Sequence, residues 1–185
     1  LKKNLVLAVS AAAVLLAAFA PGLASAAVTP TGTTDTISMV LEKGALGFDA
    51  PATVHQGDEL TVINETDPKK VGPHTFSLVT KGVVPKTKPA RKNCFTPKHI
   101  CMSIAQWHGF NPKTERITTN PAEAGPEGWS TAGDNSKKGD SWFTGEKKSG
   151  TSLTQLVTAE PGTLYFICAI HPFMHGQVTV LPAGS

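Results

Sequence analysis

Near its C-terminus the chain reads Cys168-Ala169-Ile170-His171-Pro172-Phe173-Met174-His175-Gly176. A thiol, an imidazole and a thioether fall within seven residues. The segment before it, Leu164-Tyr165-Phe166-Ile167, and the segment after it, Val178-Thr179-Val180-Leu181, are short, apolar and rich in aromatic and β-branched residues, and they read as strands. Three soft or borderline metal donors therefore sit in the loop between two strands, at one end of a sheet.

The same short-strand pattern recurs upstream. Ile37, Met39 and Leu41 alternate with polar or smaller neighbours, and Leu60-Thr61-Val62-Ile63-Asn64 follows the turn signal Gln56-Gly57-Asp58. In His74–Val79, one face carries His74, Phe76 and Leu78 and the other carries Thr75, Ser77 and Val79. Leu153, Gln155 and Val157 alternate again, before a turn at Glu160-Pro161-Gly162-Thr163. With 17 Gly and 14 Pro in 185 residues, turns and short strands are favoured over a helical bundle. The expectation is one all-β domain, an antiparallel sandwich or barrel. From about 81 to 140 the pattern dissolves into Pro, Gly, Asn, Lys and Thr, with Trp107, Phe110 and Trp129 as scattered anchors. This reads as a long irregular insertion with partial order.

Lys2 and Lys3, the apolar run Leu5–Ala20 and the small residues Ala24-Ser25-Ala26 read as a signal peptide over 1–26. The expected product is a domain over 27–185, exported to a periplasm or the extracellular space, with no stable membrane span. It holds 15 basic and 14 acidic residues, a balance that excludes a strongly basic nucleic-acid binder. The charges are segregated. Lys81, Lys86, Lys88, Arg91, Lys92 and Lys98 fall within 81–98 with no acid among them, a candidate docking patch for an acidic redox partner.

Export also bears on the three cysteines. Cys94 and Cys101 share one loop and are expected to pair, leaving Cys168 as a thiol. A thiol in an oxidising compartment needs protection or a task, and a bound metal supplies both. Thiolate, imidazole and thioether together suit copper, and a thioether is a poor zinc ligand. His74 opens a strand on the same face as Phe76 and Leu78, so it is expected to point inward and complete a set of His74, Cys168, His171 and Met174. His175 is expected at the surface. His99 and His108, with Met102, are weighed as a second copper-loading site.

The run Cys168-x-x-His171-Pro172-Phe173-Met174-x-Gly176-x-Val178-x-Val180 resembles the ligand loop of the cupredoxins, the amicyanin-like and plastocyanin-like small blue copper proteins. Gly72-Pro73-His74 resembles their first-ligand strand, and Pro161–Phe166 the strand that leads to their Cys ligand. The resemblance covers roughly 35–80 and 145–181. It implies a Greek-key β-sandwich with one type 1 copper, moving single electrons between redox partner proteins as a monomer. It also implies an exit for the electron at the edge of His171, flanked by Pro172 and Phe173. A copper-delivery protein is the alternative. An oxidase or reductase would need a second centre with paired His-x-His ligands, and the chain has no His-x-His. Two departures stand out. Thr75 occupies the position where many cupredoxins carry Asn, and 93 residues separate His74 from Cys168.

Overall fold

The computed structural model describes residues 32–117, 123, 128–146 and 148–185. The expected leader over 1–26, with its cleavage point, lies outside the described residues. In chain order the strands are β1 (Thr34–Glu42), β2 (Ala45–Asp49), β3 (Thr53–His55), β4 (Glu59–Asn64) and β5 (Thr75–Val79), with a short helical turn α1 (Pro68–Val71) before β5. The inserted segment then supplies helices α2 (Lys88–Asn93) and α3 (Ile100–Trp107) and strands β6 (Phe110–Asn111) and β7 (Arg116–Ile117). The strands β8 (Ser141–Phe143), β9 (Thr151–Leu156), β10 (Gly162–Ile167) and β11 (His175–Leu181) complete the fold.

Two sheets form a β-sandwich, as expected. One has the order β2-β1-β4-β9 and the other β3-β11-β10-β5-β8. The pairing is mixed rather than wholly antiparallel: β1 runs parallel to β4, and β3 parallel to β11. Residues spaced by two fill the space between the sheets. Ile37 and Met39, Leu60 and Val62, Phe76 and Leu78, Leu164 and Phe166, and Val178 and Val180 all belong to one buried cluster. Leu41, the third member of the first alternating run, is exposed at the strand end. Phe76 and Phe166 meet with ring centroids 5.0 Å apart at the centre of this cluster. Gly176 is required beside them, because a Cβ there would run into the Phe166 ring.

Within the insertion, the stretch 81–117 folds into helices and a short strand pair that its sequence pattern does not announce. It packs on the outer face of the second sheet and builds a second apolar cluster from Val79, Cys94, Ile100, Cys101, Ile104, Ile167 and Ala169. The disulfide Cys94–Cys101 forms as expected and is buried within it. Pro89 lies in the first turn of α2, where Thr87 caps by accepting from the Ala90 N–H. Ile100, Cys101, Ile104 and Ala105 give α3 one buried side. As a result β5 is buried on both faces along its whole length.

Trp129, read as an anchor of the insertion, is instead part of the main core. It is fully buried, edge-on to Phe76, and its indole N–H donates to the Leu60 carbonyl at 3.2 Å. Asp140 holds the return to β8: its carboxylate accepts from the Ser130 and Thr131 N–H groups at 2.8 and 2.7 Å.

If the helical segment is part of the cooperative fold, Ile104→Ala lowers the unfolding free energy by about 2–4 kcal/mol in a denaturant titration. A change below about 0.5 kcal/mol would mean that α3 is a flap resting on a self-sufficient sandwich.

Candidate metal centre

The pairing of β10 with β5 in register Phe166↔Leu78 and Ile167↔Ser77 carries Cys168 past the end of its strand to the level where β5 begins. His74 immediately precedes β5. Both side chains enter the same end of the sandwich, as their shared strand faces predict. The loop from Cys168 folds back through main-chain hydrogen bonds: the Cys168 N–H donates to the Met174 carbonyl at 2.9 Å, and the Met174 N–H to the His171 carbonyl at 2.8 Å. This tight closure returns His171 and Met174 to the thiol.

The donor atoms converge. Cys168 Sγ lies 3.7 Å from His74 Nδ1 and 3.7 Å from His171 Nδ1, and the two Nδ1 atoms are 3.2 Å apart. Among the described residues, His74, Cys168 and His171 form a group able to hold a metal ion. Met174 is buried in the same apolar cluster as Cys168. His74 and Cys168 are fully buried, while His171 is half-buried with its ring against Phe173.

Neighbouring groups set the orientation of His74. Thr66 Oγ1 donates its one hydrogen to Asn64 Oδ1 at 2.7 Å, so it can only accept from His74 Nε2, 3.0 Å away. That fixes the Nε2–H tautomer and turns the Nδ1 lone pair toward the thiol. Burial, followed by the charge that His171 would carry, pushes the His74 imidazole down to about 4. Burial also lowers His171, against an opposing hydrogen bond with the Val71 backbone. Both rings are thus held neutral, the form that binds a metal.

Burial pushes the Cys168 thiol up, countered by hydrogen bonds from the Thr75, His171 and Ile170 backbone and from the Thr75 side chain. A dry thiol facing two neutral imidazole nitrogens, with a thioether in the adjoining core, fits a soft, monovalent or divalent copper ion.

Thr75 does what its position demands. Its N–H donates to Cys168 Sγ at 3.4 Å, and its hydroxyl accepts the Ala169 N–H at 2.8 Å, tying the first-ligand strand to the Cys loop. The other histidines separate. His175 opens β11 and is partly buried rather than free at the surface. His99 is exposed before α3 and His108 is buried after it, so α3 stands between them. They do not form the second copper-loading site weighed above. Sequence reasoning missed His108 as a core residue; its only signal is a polar side chain at the end of a helix with one apolar side.

No family model matches the chain, and no curated protein matches it. Among solved structures, auracyanin B is similar with 18% identity over 85% of this chain and 96% of that one, at a TM-score of 0.43. A reduced Cu(I) form of an amicyanin variant is similar with 17% identity over 81% and 83% of the two chains, at a TM-score of 0.38. At these values neither neighbour assigns a role to any residue. The chain's own sandwich and donor cluster bear out its resemblance to the cupredoxins.

The depressed His74 has a consequence for the metal-free protein. The unfolded imidazole takes its proton near pH 6.5, the folded one only near 4. Stability from this residue is complete above about 6.5 and is lost as pH falls toward 4, by up to about 3 kcal/mol. The thermal midpoint of the metal-free protein should drop across this window, and the drop should shrink in His74→Leu. An equal drop in both would show that His74 is not held neutral by the fold.

Proposed function

We propose that this chain is an exported electron carrier of the cupredoxin type, holding one type 1 copper with His74, Cys168, His171 and Met174. The observation that carries the reading is the convergence of one buried thiol and two imidazole Nδ1 atoms within 3.7 Å. When bound, copper supplies a one-electron couple, Cu(II)/Cu(I). The chain supplies a rigid, dry cage whose shape suits both oxidation states, so that little rearranges when the electron moves.

The route for the electron is the half-buried ring of His171. Phe173, about half exposed, stands edge-on to that ring with centroids 5.9 Å apart. With Pro172 it makes a small apolar landing at the surface. The inserted segment packs on the sheet face instead and leaves Phe173 exposed. Burial of Cys168 and Met174 favours a resident metal over an exchangeable cargo.

Partner recognition draws on the insertion. Lys86, Lys88, Arg91 and Lys92 are exposed on and before α2. Arg91 is partly committed, donating to the Pro85 and Lys86 carbonyls at 3.1 and 3.0 Å, so it shapes the patch as well as charging it. The His175 imidazole is lowered by burial and then by Arg91 and Lys86, which supports a basic surface close to the donor loop. Such a surface would draw in a partner with an acidic docking face.

Added Cu(II) should give intense absorption near ~600 nm and narrow copper hyperfine coupling in the EPR spectrum, both lost in Cys168→Ser. A colourless protein that retains only Cu(I) would move the reading to copper delivery. Electron exchange with an acidic redox partner should slow as salt is raised. The pair Lys88→Glu and Lys92→Glu should slow association about tenfold at low salt and flatten the salt dependence, as stopped-flow mixing would register.

A further inference from the structure

A buried row of hydroxyl groups links the inserted segment to the sulfur of Cys168. His108 Nε2 lies 2.7 Å from Ser141 Oγ, Ser141 Oγ lies 2.7 Å from Ser77 Oγ, and Ser77 donates to Thr75 Oγ1 at 3.0 Å. All four residues are buried, with His108 and both serines fully excluded from solvent. Ser77 and Ser141 are opposite one another in the β5–β8 register. This is a long-range connection, because Ser141 follows Ser77 by 64 residues and His108 lies in the segment between them.

Counting hydrogens gives the row a direction. Each hydroxyl has one hydrogen to donate. That of Ser77 goes to Thr75, so Ser77 can only accept from Ser141. The hydrogen of Ser141 is then used, so Ser141 must accept from His108, which carries its hydrogen on Nε2. At the other end Thr75 Oγ1 already accepts from Ser77 and from the Ala169 N–H. Thr75 in turn reaches the sulfur through its main chain, its N–H donating to Cys168 Sγ at 3.4 Å. Every donor from His108 to Ser77 points toward Thr75.

We infer that His108 is a positioning residue for the Cys168 thiolate, acting through Ser141, Ser77 and Thr75, and that the inserted segment thereby tunes the metal centre from the far side of the sheet. The inference rests on the copper reading above. Successive donors polarise one another in the same direction and hold Thr75 Oγ1 where it accepts the Ala169 N–H, so the row fixes the join at which the Thr75 N–H bonds the sulfur. A hydrogen bond to the thiolate draws charge from it and weakens its donation to copper, which favours the reduced state. His108 is not proposed as a ligand or a proton carrier.

The test uses the full chain, with and without copper. In His108→Phe, the reduction potential should fall and the absorption near ~600 nm should move to longer wavelength. His108→Gln, which keeps an N–H donor, should restore both toward the parent. The effect of His108→Phe should vanish in a Thr75→Val background, where the last link is missing. In the copper-free protein, the Ala169 amide proton should shift in the NMR spectrum and exchange faster in His108→Phe than in the parent. Ser141→Ala removes one oxygen from the middle of the row and should give the same changes, which keeps the inference testable should His108→Phe fail to fold. A folded His108→Phe or Ser141→Ala with unchanged potential and unchanged Ala169 amide would overturn it. If the parent forms no blue centre, the copper reading fails by itself, and the Ala169 amide still decides whether the row reaches the Cys loop.

Discussion

The pairing of β10 with β5 is the contact on which the rest of the molecule depends. It places Cys168 beside the first residues of β5, and two hydrogen bonds at Thr75 complete the join. One runs from its N–H to the sulfur, and the other from the Ala169 N–H to its hydroxyl. The same register sets Phe166 against Phe76 in the core and leaves Ile167 and Ala169 facing outward. The inward faces make the sandwich. The outward faces become the floor on which the inserted helices pack. A slip of one residue would exchange these two sets, removing the thiol from the imidazoles and the apolar floor from α3.

The donor loop was legible because its chemistry is local. Cys168, His171 and Met174 lie within one loop, and that loop has only to close on itself. His74 was legible because alternation alone puts it on the face of Phe76 and Leu78. The outer face of β5 was not legible. Thr75, Ser77 and Val79 look like a solvent-facing set, since two of the three are hydroxyl residues. They are buried because Ser141, 64 residues beyond Ser77, brings a matching hydroxyl, and because Ile100, Cys101 and Ile104 cover Val79. Nothing in a window of six residues carries that information.

The helices inside the insertion were not legible for a related reason. An eight-residue helix such as α3 spans barely two turns, too few for its period to rise above the surrounding Pro, Gly and Lys. Its stability comes from packing on Ile167 and Ala169 and from the disulfide, not from propensity. The two parallel strand pairs were hidden likewise, because alternation identifies a face and says nothing of which neighbour a strand takes.

Taken together, these features give the insertion a physical role that differs from that of a surface elaboration. A small sandwich with a thiol in a loop beyond its strands has one solvent-facing sheet side, and water there would compete for the hydroxyls of Thr75 and Ser77. Covering that side removes the competition, at the cost of needing a partner for each buried hydroxyl. Ser141 and His108 are those partners. The segment that dries the outer face therefore also supplies its hydrogen-bond row, and the polarity of that row runs toward Thr75, whose N–H bonds the sulfur. Removing the segment would expose apolar Val79 and Ile167 and release the row to solvent at the same time. Stability and the electronic environment of the thiol are coupled through one face of one strand, and a substitution on that face acts on both.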